Sequence, residues 1–153
     1  MKITDILNIN SIKVGISVEN KDELLKKLIE LASASGYILD KKAAFVEVME
    51  RENIMSTGVG KGIALPHAKT NAIKGTIGAL CILKDPLDYN SLDNKPVRIA
   101  FLLLGEENNV GGHLRLLSKI SRLMNIDAFR AKLLEAKSPQ DALDIFYEYE
   151  ADD

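Results

Sequence analysis

The chain has 153 residues, of which 46% are apolar and 27% charged, with 20 Lys plus Arg against 22 Asp plus Glu and a formal net charge of −2. A domain of this size builds a core without staples, and this composition excludes a disordered tail or a collagen-like repeat. The near-neutral balance argues against nucleic acid as a partner, and a single cysteine excludes an internal disulfide framework and a cysteine-rich zinc site.

There is no tryptophan and aromatics are 5%, so the core is expected to be aliphatic. No long apolar region follows Met1-Lys2-Ile3-Thr4-Asp5, so no secretory signal is read. The apolar runs fall short of the ~20 residues that span a bilayer. A cytoplasmic protein without membrane insertion is expected.

Ile12, Val14, Ile16 and Val18 alternate with Lys13, Gly15 and Ser17, which predicts a strand with one buried face. Asn20 is placed to cap a helix, with Glu23 at its third position. Leu24, Leu25, Leu28, Ile29 and Ala32 form its apolar stripe, and Gly36 marks its end. Asp40 is placed to cap a second helix. Its inner face is read as Ala43, Val46 and Met49, and the charges from Glu50 to Glu52 lead out of it.

Gly58 to Pro66 predicts a tight loop and a short strand that ends at His67. Thr76–Leu83 and Val97–Leu104 are continuous apolar stretches of strand length, so both are expected at the centre of a sheet covered on each face. Cys81 lies in the first of them, as a small buried hydrophobe. Asp85-Pro86 and Asp93-Asn94-Lys95-Pro96 read as turns. After Gly111-Gly112, a helix is expected from His113 to Met124, with Leu114, Leu117, Ile120, Ser121 and Met124 on one side. Asp127 and Ser138-Pro139 start two further helices. Interleaved strands and helices with a helical C-terminal third predict a single-domain α/β fold, a three-layer α/β/α sandwich around a central mixed β-sheet.

Three side chains stand out chemically. His67 follows Pro66, which lacks an N–H, so its imidazole is presented where a strand stops. Gly58, Gly60 and Gly62 just before it leave room for a partner or phosphate near the backbone. Their spacing is not a dinucleotide fingerprint, and no Lys-Ser or Lys-Thr pair follows. Taken alone, His67 could equally be a loop residue bonded to backbone. His113 sits near a helix N-terminus, where free N–H groups favour an anion, or it is a solvent-facing first-turn residue. Arg51 closes the second helix, as a phosphate-gripping guanidinium or as a surface residue favoured by the helix dipole.

Together the three would form a metal-free phosphate-handling site. One neutral imidazole nitrogen attacks phosphorus, while a second imidazole and a guanidinium offset the charge on the oxygens. An unperturbed histidine pKa near 6.5 keeps the nucleophile mostly neutral at cytoplasmic pH. Two distant histidines without an H-E-x-x-H pattern make a poor zinc signature, and no G-x-S-x-G elbow supports a serine hydrolase.

The segment Arg51-Glu52-Asn53-Ile54-Met55-Ser56-Thr57-Gly58-Val59-Gly60-Lys61-Gly62-Ile63-Ala64-Leu65-Pro66-His67-Ala68 resembles the signature of the type 2 enzyme IIA of the bacterial phosphoenolpyruvate-dependent sugar phosphotransferase system, the fructose/mannitol/nitrogen-related class. Glu52, Val59, Gly60 and the run Ile63 to Ala68 meet every required position. The resemblance extends to Asp93-Asn94-Lys95-Pro96-Val97 and to His113-Leu114-Arg115-Leu116-Leu117-Ser118, so residues 1–153 are read as one such domain.

The resemblance implies a mixed sheet between helices and a phosphotransferase that uses no cofactor. It implies that His67 takes the phosphoryl group from the histidine phosphocarrier protein HPr or its nitrogen-branch paralogue and passes it to a cysteine of enzyme IIB. His113 is implied as the second active-site histidine and Arg51 as the arginine ahead of the signature. Thr57 is implied as a hydroxyl donor to the phosphate. Two biological roles remain open: sugar uptake of the fructose or mannitol class, or nitrogen-related regulation in which phosphorylation controls binding to regulatory protein targets. The second is motivated by the absence of an attached IIB or IIC segment in these 153 residues.

Overall fold

Residues 1–151 are described by a computed structural model. After 3-10 turns at Ile3–Asp5 and Ile9–Ser11, the elements follow as β1 (Ile12–Ile16), α1 (Lys21–Ser33), α2 (Lys41–Ile54), β2 (Gly58–Gly60), β3 (Ile63–Ala64), β4 (His67–Thr70), β5 (Ile77–Leu87), β6 (Val97–Glu106), α3 (Val110–Met124), α4 (Asp127–Glu135) and α5 (Pro139–Glu150). The strand order is β1-β5-β6-β3-β2, and β4 also pairs with β6. β5 and β6 are antiparallel, whereas β1 runs parallel to β5, and β3 and β4 run parallel to β6.

Alternate residues of β5 and β6 feed two different cores. Ala79, Cys81, Leu83, Ala100, Leu102 and Leu104 face α1 and α2, against Leu24, Leu25, Leu28, Ile29, Ala44 and Val48. Leu80, Ile82, Ile99, Phe101 and Leu103 face the C-terminal helices, against Leu116, Ile120, Phe129 and Phe146. Both faces are apolar because both are covered, which is why these segments read as continuous hydrophobic runs. The expected α/β/α sandwich with a mixed sheet is the observed architecture. Cys81 is fully buried, and burial pushes its thiol up to about 12, so it is no nucleophile at neutral pH.

Four local expectations are corrected. β5 runs on through Asp85-Pro86 as an irregular stretch with shifted register, because Lys84 to Pro86 project into solvent where a proline breaks no buried ladder. The most buried residues of α2 are Ala44, Val48 and Glu52; Ala43 and Met49 pack against the same core as expected, whereas Val46 is half exposed. Glu52 turns inward because buried donors satisfy its carboxylate. α3 begins at Val110 with Asn109 as its cap, so His113 lies in the helix and not at its start; the glycines are absorbed into its first turn. Its buried face is His113, Leu116, Ile120, Leu123 and Met124, and Leu114 points outward. The caps at Asn20, Asp40 and Ser138 and the proline at the start of α5 are as expected.

One long-range clasp has no local sequence signal. The buried Glu150 carboxylate accepts the backbone N–H of Ile3 (2.7 Å) and of Thr4 (2.9 Å), tying the end of α5 to the first 3-10 turn. Glu150→Ala strands both donors and should cost about 2–3 kcal/mol. For a chain of this length that lowers Tm by roughly 4–12 °C. Calorimetric melting checks it, and an unchanged Tm contradicts the clasp.

Candidate functional site

The position of His67 follows from a proline. β3 and β4 lie along the same edge of β6 in one register, from Ile63↔Ile99 to His67↔Leu103. Between them, Leu65 donates its N–H across to the Thr57 carbonyl (2.9 Å), and the Pro66 carbonyl accepts from Leu103 (3.0 Å). Pro66 offers no donor, so the edge is interrupted there. His67 thus opens β4 instead of ending the strand before it. Its Nδ1 lies 2.8 Å from the Leu65 carbonyl oxygen. A carbonyl only accepts, so Nδ1 carries the hydrogen and, in the neutral ring, Nε2 keeps the lone pair.

His113 comes from α3, and its ring centroid lies 5.7 Å from that of His67 at a tilt of 47°. Its side chain is buried, and its Nδ1 has no hydrogen-bond partner. That nitrogen is pressed against Gly105 in β6, where a Cβ would sit 2.7 Å from it. Gly105 is therefore the residue that admits the ring, as a glycine inside a strand often marks a close approach. With Nδ1 sealed off, Nε2 is the atom left to engage a ligand.

Arg51, in the last turn of α2, donates from Nη1 to the Met55 carbonyl (3.0 Å). That bond uses one of the five N–H donors an arginine carries. The three side chains line a single hollow of ≈ 450 Å³. Glu47, Glu50, Arg51 and Ile54 of α2 form one wall, His67, Ala68 and Lys69 of β4 the floor, and His113, Leu114 and Leu117 of α3 the other wall. Lys69 follows His67 by two strand positions, a spacing that puts both on the same face. The two-residue spacing is legible in the sequence. Glu47 and Ile54 stand four before and three after Arg51, and Glu50 three after Glu47, a helical spacing that places them along one side of α2 with Arg51.

Thr57 is not brought to the hollow. It is buried, its hydroxyl bonds the Glu52 carboxylate and lies 3.0 Å from the Tyr89 hydroxyl, and its N–H donates to Glu52 (2.7 Å). Among the described residues, no cluster of three or more potential metal ligands is present, and no helix is long and apolar enough to cross a membrane.

Both imidazoles are held neutral. Burial lowers the His67 pKa below 6.5; its Leu65 bond opposes this, the Arg51 charge assists, and the Glu52 charge opposes. Burial lowers His113 further, to about 4, with smaller contributions from His67 and Lys69. A neutral nucleophile beside fixed cationic and N–H donors is an arrangement suited to reversible phosphoryl attachment.

Comparison with known proteins agrees with this chemistry. The family profile described as "Phosphoenolpyruvate-dependent sugar phosphotransferase system, EIIA 2" matches residues 5–149, and the chain belongs to that family. It is a phosphoryl-transfer component of that system. It is 36% identical to the fructose-specific EIIA component of Haloferax volcanii over 152 residues, covering 97% of this chain and 98% of the relative. It is 35% identical to the fructose-specific EIIABC component of Bacillus subtilis over 98% of this chain, but it spans only 24% of that relative's length. The crystal structure of nitrogen regulatory protein IIA-Ntr from Neisseria meningitidis superposes with a TM-score of 0.87 at 30% identity, covering 94% of this chain and 98% of that one. The IIA of the Escherichia coli mannitol complex with phosphorylated IIB shares the fold, with a TM-score of 0.80 at 16% identity over 93% and 97% of the two chains.

In an NMR titration the His113 ring should titrate near 4 and the His67 ring below 6.5. The unfolded chain binds these protons more readily, so stability contributed by the neutral rings is fully present above about 6.5 and is lost as pH falls from there toward 4. His113→Gln should flatten the melting temperature over that window. A His113 midpoint at or above 6.5 contradicts the buried neutral ring.

Proposed function

We propose that this EIIA family member carries its phosphoryl group on Nε2 of His67, accepting it from phospho-HPr or a nitrogen-branch paralogue and delivering it to a cysteine of a IIB protein. The observation that carries this reading is the Leu65–His67 bond, which leaves Nε2 as the lone pair in a hollow shared with His113 and Arg51. The donor's N–P bond breaks as the His67 Nε2–P bond forms, and the electron pair leaves on the donor nitrogen. Because Nε2 carries no hydrogen, no base is required. The product ring is cationic, and Leu65 keeps hold of its Nδ1–H. On delivery, the thiolate of IIB forms the S–P bond and neutral His67 leaves.

Arg51 grips the phosphoryl oxygens with its remaining N–H donors. Neutral His113 donates from Nε2, and the arriving negative charge raises its pKa, so it gains a proton more readily once the phosphoryl group is in place. Ile54 and Leu114, exposed at the rim, serve as part of an apolar contact ring for weak, transient complexes. Residues 1–153 act as one such domain in the cytoplasm. The similarity to fructose-specific relatives supports a role in uptake of a fructose-class sugar, and the mannitol IIA–IIB complex supports a IIB partner. The close superposition on IIA-Ntr supports a second reading, in which the phosphorylation state controls binding to regulatory proteins. A deletion strain that still imports every sugar of this class would favour regulation.

Incubation with phosphoenolpyruvate, enzyme I and HPr should produce an acid-labile phosphohistidine in wild-type protein and none in His67→Ala. Wild-type protein that stays unlabelled while a known acceptor is labelled overturns the proposal. His113→Ala should still be labelled but should transfer onward about 10²–10³-fold more slowly, the loss typical of one transition-state donor. Gly105→Ala, which displaces the His113 ring, should slow transfer while leaving His67 labelled; wild-type onward rates in that variant would remove His113 from the mechanism.

A further inference from the structure

Glu52 is a charged side chain almost fully buried behind the hollow, and it lines no part of it. Its Oε2 accepts the Thr57 N–H (2.7 Å) and lies 3.3 Å from Lys21 Nζ, while its Oε1 accepts the Tyr89 hydroxyl (2.6 Å) and the Thr57 hydroxyl. A buried carboxylate with this many donors has a fixed geometry, and the groups it binds are fixed with it.

Two chains of contacts lead from that carboxylate to the site. In the first, Glu52 holds Thr57 by both N–H and hydroxyl. The Thr57 carbonyl accepts the Leu65 N–H (2.9 Å), and the Leu65 carbonyl accepts the His67 Nδ1–H (2.8 Å). In the second, anchoring Thr57 fixes the turn after α2, and the Met55 carbonyl in that turn accepts from Arg51 Nη1 (3.0 Å). One carboxylate thereby orients both the nucleophilic ring and the guanidinium beside it.

We propose that Glu52, acting through Thr57, is the positioning residue that holds His67 in its Nδ1–H tautomer and aims Arg51 into the hollow. The inference rests on the reading of His67 Nε2 as the phosphoryl acceptor. It gives Thr57 a role other than phosphate contact. A carboxylate accepts from four donors here, whereas a glutamine turns an amide NH₂ toward two of them, so Glu52→Gln loosens the anchor without emptying the space.

The test uses the unphosphorylated full chain. Long-range ¹H–¹⁵N NMR of the His67 ring should show a hydrogen on Nδ1 and a bare Nε2 in wild type. Glu52→Gln and Thr57→Val should both shift the ring toward a tautomer mixture and lower the rate of phosphorylation by HPr about 10- to 100-fold, as expected for a misoriented reacting group. Thr57→Ser keeps the hydroxyl and should restore both readouts. Tyr89→Phe removes a donor outside both chains and should lower Tm while leaving the tautomer intact. Should Glu52→Gln fail to fold, Thr57→Val carries the test. Folded variants with wild-type ring shifts and rates overturn the inference. Absence of any phosphorylation in wild type would instead defeat the acceptor reading, and the ring shifts would still decide this one.

Discussion

A carbonyl oxygen cannot donate a hydrogen bond, and the chemistry proposed for His67 depends on that limitation. Leu65 O faces His67 Nδ1 at 2.8 Å, and the ring has one way to satisfy the contact. The tautomer follows, and with it the atom that is free to form a bond. The carbonyl is available because Leu65 sits at the break between β3 and β4, where Pro66 interrupts the edge of β6. The donor from Leu65 turns to Thr57, its acceptor turns to the ring, and the sheet resumes at His67. In the proposed transfer, a backbone irregularity of two residues thus does what a dedicated base would otherwise have to do.

The electrostatics of the hollow suit a carrier more than a storage site. Burial lowers the pKa of both rings and so favours their neutral forms, and the cations Arg51 and Lys69 share the lining with the acidic Glu47 and Glu50. A deep positive well would hold a phosphoryl group too firmly to pass on. A mixed lining with a few placed donors stabilises charge that develops during transfer and leaves the ground state only modestly favoured. The unpartnered Nδ1 of His113, sealed against Gly105, fits the same logic, since it leaves the ring's other nitrogen as the one open to a ligand.

Much of this was legible in the residues. β5 and β6 announced themselves as runs apolar on both faces, and the helix caps at Asn20, Asp40 and Ser138 stood at their expected places. Arg51, His67 and His113 do share one hollow. What could not be read was direction. A helical stripe of Ala43, Val46 and Met49 looked as apolar as Ala44 and Val48, and it is the packing of Ala44 and Val48 in the core, together with the buried donors around Glu52, that leaves Val46 outside. The inward turn of Glu52, and with it the capture of Thr57 away from any phosphate, was hidden because the other partners of Glu52, Lys21 and Tyr89, lie more than thirty positions away along the chain. Periodicity sees neighbours, and these contacts are between strangers in sequence.

The Glu150 clasp has an architectural corollary. By gripping the amides of Ile3 and Thr4, it brings the opening and closing segments of the fold to one spot, beneath the C-terminal helices. A unit whose ends meet can be spliced into a longer polypeptide as a pendant bead, and it tolerates circular permutation, because neither arrangement pulls the entry and exit points apart.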